Sequence, residues 1–411
     1  GLCVSNFVGK TAFAAVNLIM PLPMLLGTIG FMLGTGGSAI VGITLGEGDQ
    51  KKADRYFTLF LLAALVSVSV LAVLGIVFLR PIAVLLGAKG ELLDYAVRYG
   101  RILMVSLPTF ALQNMFQSFF VTAEKPHLGF WFTVGAGCTN MVLDVLMVGI
   151  WGWGVEGAAI ATFISQLVGG VLPVFYFIDR SNSSRLHLCK TSFYSKVLRD
   201  ACINGSSELM TNLSMSLVNI LYNFQLLRLA GENGVAAYGV IMYAAFLFVA
   251  VFVGYAVGSA PIVSFHYGAR NHAEVHNLYR KSLRLIAVVA VTLTLASMFI
   301  IPCVARIFVG YDAELLALTS RAFRLYALSF LIMGFNVYAS SFFTALGDGV
   351  TSALISFLRT LAFQVIAILL LPLLLGIDGI WLAVTAAELA ALAVSAAMLL
   401  TKDKVFHYRK A

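Results

Sequence analysis

Of the 411 residues, 60% are hydrophobic and 11% charged, under half the charge of an average soluble domain, and the mean hydropathy is +0.94. A soluble domain needs polar surface over its core, so this composition excludes a soluble enzyme, a disordered chain and a nucleic-acid-binding domain. An integral membrane protein remains.

In chain order, uncharged windows lie at 11–46, 56–79, 102–123, 126–143, 157–178, 209–227, 233–269, 285–305, 325–347 and 360–377. A further window, 379–401, is interrupted only by Glu388. About 20 apolar residues rising 1.5 Å each cross a hydrocarbon core of roughly 30 Å, so each window predicts a spanning helix. Runs such as Ile366 to Leu375 do not alternate as barrel strands do. The fold class expected is an all-α, polytopic membrane protein. The five cysteines (Cys3, Cys138, Cys189, Cys202, Cys303) have no metal-ligand spacing, and no signal peptide is visible.

The charges gather on alternate sides. Segments 47–55, 124–127, 179–200, 270–284 and 402–411 together hold 17 of the 27 Lys and Arg residues. The positive-inside rule places them, with the C-terminal tail, in the cytoplasm. The net charge of +8 then reads as an orientation and lipid-facing bias.

An internal repeat runs through the chain. Gly36, Ile40, Val41 and Gly46 recur 222 residues later as Gly258, Ile262, Val263 and Gly268. The same shift carries Phe120, Thr122 and Ala123 onto Phe342, Thr344 and Ala345, and Gly154-Val155-Glu156-Gly157 onto Gly376-Ile377-Asp378-Gly379. Gly9, Ala14, Ala15, Ile19 and Met20 likewise match Gly231, Ala236, Ala237, Ile241 and Met242, so Gly1 corresponds to Asn223. The expectation is a twelve-helix design lacking most of its first helix, in two pseudo-symmetric six-helix lobes, 1–188 and 189–411. An even number of spans per half makes them parallel repeats, an arrangement used by transporters.

With these residues in view the chain resembles the multidrug and toxic compound extrusion (MATE) family, closer to its bacterial DinF-like branch. The resemblance rests on Asn6-Phe7-Val8-Gly9 with Ala14-Ala15-Val16-Asn17, on Gly36-Gly37-Ser38 leading to Leu45-Gly46-Glu47-Gly48, and on Asn140-x3-Asp144 followed by Gly154-Val155-Glu156-Gly157-Ala158-Ala159-Ile160-Ala161-Thr162. It implies a drug/cation antiporter in the bacterial cytoplasmic membrane, expected as a monomer. It implies small-molecule drugs or toxic organic cations as substrates, no nucleic-acid partner, and no cofactor beyond a coupling H⁺ or Na⁺.

Ionisable groups at membrane depth are costly and therefore functional candidates. Asp144 lies about 8 Å below the loop near 149, Asn140 one turn deeper on the same face, and Thr162 at similar depth on the next helix. Their oxygens suit Na⁺ or a shared proton, and the resemblance assigns Asn140, Asp144 and Thr162 to an N-lobe cation site. The alternative is an Asp144 simply solvated near the interface. The family's site usually includes an Asp on the first helix; a chain without that helix is expected to bind cations poorly. In the C-lobe, Glu208 is expected roughly 12 Å inside a helix starting near 200, at nearly the depth of Arg359. Glu208 and Glu388 are both candidate partners of Arg359, and a static pair is as acceptable as a coupling role. Asn336 is the polar substitute for an acidic residue that some members carry on the tenth helix.

Other motifs read structurally. Gly30-x3-Gly34-x3-Ser38 is a packing face, Pro21 and Pro23 are helix-kinking positions, and Pro261 is expected to break the matching region. His272 and His276 belong to a solvated helix. Three functions compete. A cation-coupled drug exporter fits three intramembrane carboxylates against one Arg. A lipid-linked oligosaccharide flippase would need several cations for pyrophosphate, and an intramembrane enzyme lacks its motifs.

Overall fold

The structure, a computed structural model, describes residue 8 and residues 10–310 and 312–408. The expected first-helix stub, residues 1–9, lies outside the described residues apart from Val8. Among the described residues there is no strand. The helices are α1 (Lys10–Ile19), α2 (Pro21–Gly46), α3 (Gln50–Leu85), α4 (Glu91–Thr122), α5 (Pro126–Asp144, continued by a π-helical turn over Val145–Ile150), α6 (Gly154–Gly170), α7 (Leu172–Ile178) and α8 (Ser195–Asn204). They are followed by α9 (Ser206–Gly268), α10 (His272–Val309), α11 (Ala313–Ala327), α12 (Phe330–Ala345), α13 (Gly349–Phe357, leading into a π-helical turn over Leu358–Ala362), α14 (Phe363–Leu375), α15 (Ile377–Thr401) and α16 (Asp403–Phe406).

Among the described residues eight helices are long and apolar enough to cross a bilayer, nine when α11 and α12, bent by 46°, count as one span. Two more follow from geometry. The 63 residues of α9 extend about 95 Å, three times the hydrocarbon core. The left-handed backbone of Gly231 (φ 61°) breaks that helix in two. The 32-residue α4 is also long enough, but Glu91, Asp94, Arg98 and Arg101 polarise its first turns. The ten uncharged windows and the eleventh, interrupted by Glu388, are thus all helical among the described residues.

The chain divides into two compact units, Gly1–Gly205 and Ser206–Ala411. The boundary falls beyond the expected 188/189, because the linker and α8 pack back on the first unit. There Asn204 Nδ2 donates to the Gly36 carbonyl at 3.4 Å. The core of unit 1 includes a ring cluster of Phe57, Phe116, Phe119, Phe120 and Phe177. Unit 2 packs Tyr279, Tyr338, Phe342 and Tyr408 together.

The 222-residue repeat has local structural causes. Asp49 caps α3 by accepting from Lys52 N at 3.0 Å, and Asn271, 222 residues on, caps α10 by accepting from Glu274 N at 3.1 Å. Gly154 (φ 61°) and Gly376 (φ 57°) occupy the left-handed region where the chain re-enters the membrane. At the second glycine of each motif a side chain would collide with the preceding element: a Cβ at Gly157 would lie 2.9 Å from the Trp153 Cβ, and one at Gly379 2.4 Å from the Leu371 carbonyl. The acid between them faces an arginine, Glu156 with Arg98 at 3.8 Å and Asp378 with Arg321. Both glycines and the acid of the Gly-x-Glu/Asp-Gly motif therefore have structural tasks.

The face of Gly30 and Gly34 is a packing face. A Cβ at Gly30 would lie 2.3 Å from the Ala111 carbonyl on α4. Pro21 and Pro23 stand at the start of α2, where a missing N–H costs nothing. Pro261 does not break its helix, which runs through to Gly268.

Candidate functional site

In unit 1, α5 presents Asn140 and Asp144 one turn apart, and α6 presents Thr162. Asn140 Nδ2 donates to Thr162 Oγ1 at 3.4 Å, and that hydroxyl donates to the Ala158 carbonyl at 2.9 Å. The helix widens into its π-helical turn directly after Asp144, a distortion often found at functional positions. Asp144 bonds to neither Asn140 nor Thr162. It is half-buried, and among the described residues its buried Oδ1 has no hydrogen-bond partner. The phenol of Tyr99, on α4, interacts with it electrostatically and is itself 3% exposed. The Gln166 Oε1, one turn from Thr162 on α6, is likewise buried without a partner.

These groups are carboxylate, amide and hydroxyl oxygens, the hard donors that Na⁺ accepts, and the same carboxylate can hold a proton. An unpartnered buried carboxylate oxygen is costly, and a bound cation or proton would satisfy it. The residues present therefore fit a monovalent coupling ion. Tyr99 and Gln166 extend the set beyond the sequence-derived residues. The neutral Gln166 aligns with Glu388 by the repeat, whereas no signal in the sequence singles out Tyr99 from the chain's other tyrosines.

In unit 2 the structure decides between the candidate partners of Arg359. Its Nε donates to Glu388 Oε1 at 2.9 Å. Asn336 Nδ2 donates to Glu388 Oε2 at 2.7 Å and to the Glu388 carbonyl at 2.9 Å. Glu388 and Asn336 are fully buried, with Tyr326 nearly so at 7% exposure. Tyr326 interacts electrostatically with both charges of the pair. Arg359 lies in the π-helical turn after α13, which redirects it toward α15.

Glu208 is corrected on two counts. It forms no ion pair with Arg359 within 4 Å among the described residues, although the two charges still interact at longer range. Its helix starts at Ser206 rather than near 200, because Gly205 separates α8 from α9. Glu208 thus stands in the first turn of α9, about 3 Å along it, where the helix dipole favours a negative charge. Asn336, the polar substitute for an acidic residue on its helix, hydrogen-bonds Glu388. Among the described residues no His, Cys, Asp and Glu group is placed to hold a metal ion. The His276 Nδ1 lies 2.9 Å from the Tyr408 carbonyl, a structural contact.

Comparison with known proteins agrees with this architecture. The family model described as MatE matches residues 1–146 and 209–370. The multidrug export protein MepA of Staphylococcus saprophyticus is 21% identical over 405 residues, covering 97% of this chain and 88% of that protein. MepA of Staphylococcus aureus strain MSSA476 is 21% identical over 394 residues, covering 95% and 86%. Among solved structures, a MATE in complex with MaL6 matches at 22% identity with a TM-score of 0.92, covering 100% of this chain and 92% of that one. An outward-facing multidrug resistance MATE transporter of the MOP superfamily matches at 23% identity and a TM-score of 0.92, covering 100% and 91%. The helices, the repeat and the family model agree: the chain belongs to the MatE family of multi-pass membrane transporters.

Proposed function

We propose that the protein exports amphipathic, often cationic, small molecules from a bacterial cell by alternating access, in antiport with H⁺ or Na⁺. The observation that carries the coupling reading is the buried, unpartnered Oδ1 of Asp144, beside Tyr99 and the Asn140–Thr162 bond. Binding a cation there changes the local charge by one unit and supplies the missing partner. Such loading moves a conformational equilibrium to the extent that the two states bind the cation differently. The Glu388 carboxylate is a poorer acceptor, because Arg359 already neutralises it. That pairing also leaves Arg359 unavailable to a pyrophosphate, which favours a cationic over an anionic substrate. The relatives named as multidrug export proteins support the substrate class. The ends carrying 47–55, 124–127, 179–200, 270–284 and the tail face the cytoplasm in this reading.

The test is efflux from proteoliposomes with imposed pH or Na⁺ gradients, comparing the full-length protein with its Asp144→Asn variant. Gradient-driven efflux is expected to be lost while expression and folding persist. Undiminished efflux by the variant would remove Asp144 from the mechanism, and efflux indifferent to both gradients would remove cation coupling.

A further inference from the structure

The end of unit 1 where α2 hands over to α3 carries a second polar feature that the transport reading does not use. Beyond α7, residues 185–191 fold back along the first turns of α3. His187 N donates to Asp54 Oδ1 at 3.0 Å, and Cys189 N to Thr58 Oγ1 at 3.1 Å. Thr191 Oγ1 donates to the Arg55 carbonyl at 2.8 Å, and Leu186 beneath is fully buried. The segment and α3 border an open surface cavity of about 480 Å³, lined by the exposed side chains of Lys51, Arg55, Arg180 and Lys190. None of these four cations forms an ion pair within 4 Å among the described residues, whereas nearby Arg185 pairs with Glu124 and Lys52 with Glu47.

The carboxylates beside this cavity are already engaged. Asp54 accepts from His187 N and from the Gln50 amide. Asp179, next to Arg180 in the chain, accepts from Ser181 N and Oγ at 2.9 and 2.7 Å. Four Lys and Arg against two acids leave a net charge near +2 on one wall. His187 also lines the cavity, and among the described residues its buried Nε2 has no hydrogen-bond partner. A tetrahedral phosphate offers several acceptor oxygens and negative charge, matching forked guanidinium donors and ammonium groups.

The sequence around this cavity suits a membrane boundary, since the basic segments 47–55 and 179–200 meet there beside the apolar start of a span. Tyr56 and Tyr194, a residue type enriched at headgroup level, stand edge to face at 5.5 Å. Phe175 and Ile178, 64% and 53% exposed, run along α7 directly up to Arg180. An anionic head in the cavity would thus have an apolar helix face alongside for acyl chains. We propose that this cavity is a binding site for a phosphate-bearing anion, and that its ligand is the head group of an anionic phospholipid such as phosphatidylglycerol. Basic pockets among membrane helices recognise such head groups. The inference is independent of drug export and of the coupling ion.

Cys189 lines the cavity and is partly exposed, so its alkylation reports occupancy. The full-length protein is reconstituted in phosphatidylcholine vesicles, in vesicles containing phosphatidylglycerol, and in phosphatidylcholine with inorganic phosphate. Maleimide labelling of Cys189 is then followed by peptide mass spectrometry. Phosphatidylglycerol is expected to slow labelling, with protection weakening as salt rises. Each of Arg55→Gln, Arg180→Gln and Lys190→Gln is expected to weaken phosphatidylglycerol binding by about fivefold. Lys89→Gln, in the loop before α4, should leave it unchanged. Protection by inorganic phosphate at millimolar concentration supports the phosphate site but overturns its assignment to a lipid. Equal labelling of the unmodified protein under all three conditions overturns the site itself. That comparison needs no variant, so it stands even if a substitution impairs folding.

Discussion

Replacing Glu388 by Gln leaves Arg359 buried without its counter-charge. The two groups meet at 2.9 Å, with side-chain exposures of 13% for Arg359 and 1% for Glu388. At an effective dielectric near 20 their attraction is on the order of 6 kcal/mol, and it offsets a desolvation penalty of several kcal/mol per ion. Removing one partner abolishes the attraction but keeps the penalty on the other, so Glu388→Gln should destabilise unit 2 by about 3–5 kcal/mol. The damage should stop there, since Asn336 can still donate to the Gln carbonyl and to the backbone oxygen it already uses. Removing both charges together, as Arg359→Met with Glu388→Met, should be near neutral or stabilising. A double-mutant cycle in thermal or denaturant unfolding of the detergent-solubilised protein measures the coupling. Additive effects, or a single variant costing under about 1 kcal/mol, would refute the reasoning.

Other tests address packing and electrostatics. Tyr408 is fully buried, donates to the Leu399 carbonyl at 2.7 Å and packs on Tyr279 and Phe342; Tyr408→Ala should cost about 3–5 kcal/mol and Tyr408→Phe about 1 kcal/mol in unfolding experiments. A Cβ at Gly36 would lie 2.1 Å from the Ala201 carbonyl and 2.5 Å from Gly205 N, so Gly36→Ala should force α8 off α2 at about 1–3 kcal/mol, read as faster proteolysis of the linker. Burial raises the Asp348 carboxyl, but Lys402 at 2.8 Å and the Thr351 hydroxyl and N–H outweigh it and hold the group below its ordinary 3.8. A depressed carboxyl stabilises the fold above its unfolded value and loses that contribution as pH falls through the folded one. Asp348→Asn should therefore flatten the stability profile below about pH 4 and leave it unchanged in slope at neutral pH, as followed by thermal shift across pH.

Span positions were legible in the sequence because a bilayer forces each crossing segment to satisfy its backbone internally and to be apolar over its whole length. The repeat was legible because its markers answer local geometry: caps at Asp49 and Asn271, left-handed glycines at Gly154 and Gly376. Asn140 and Thr162 were placed together correctly, since each lies a countable number of residues from the same loop. The depth of Glu208 depends on where its helix begins, and the Asn204-Gly205 stop signal sits inside a stretch that reads as one helix starting near 200. Tyr99 and Tyr326 escaped notice because tyrosine is common here and only a neighbouring helix makes a particular one matter.

The sequence by itself determined that this is a duplicated, helical membrane protein with a few ionisable groups to explain in its spans. Those properties follow from the solvent and from short-range backbone chemistry. The tertiary structure alone decided which groups meet: Arg359 with Glu388 rather than Glu208, Asn336 with Glu388, and the linker with the head of α3. Helix rotation and the π-helical turns set those meetings, and a rotation of a few tens of degrees changes a side chain's partner without altering hydropathy.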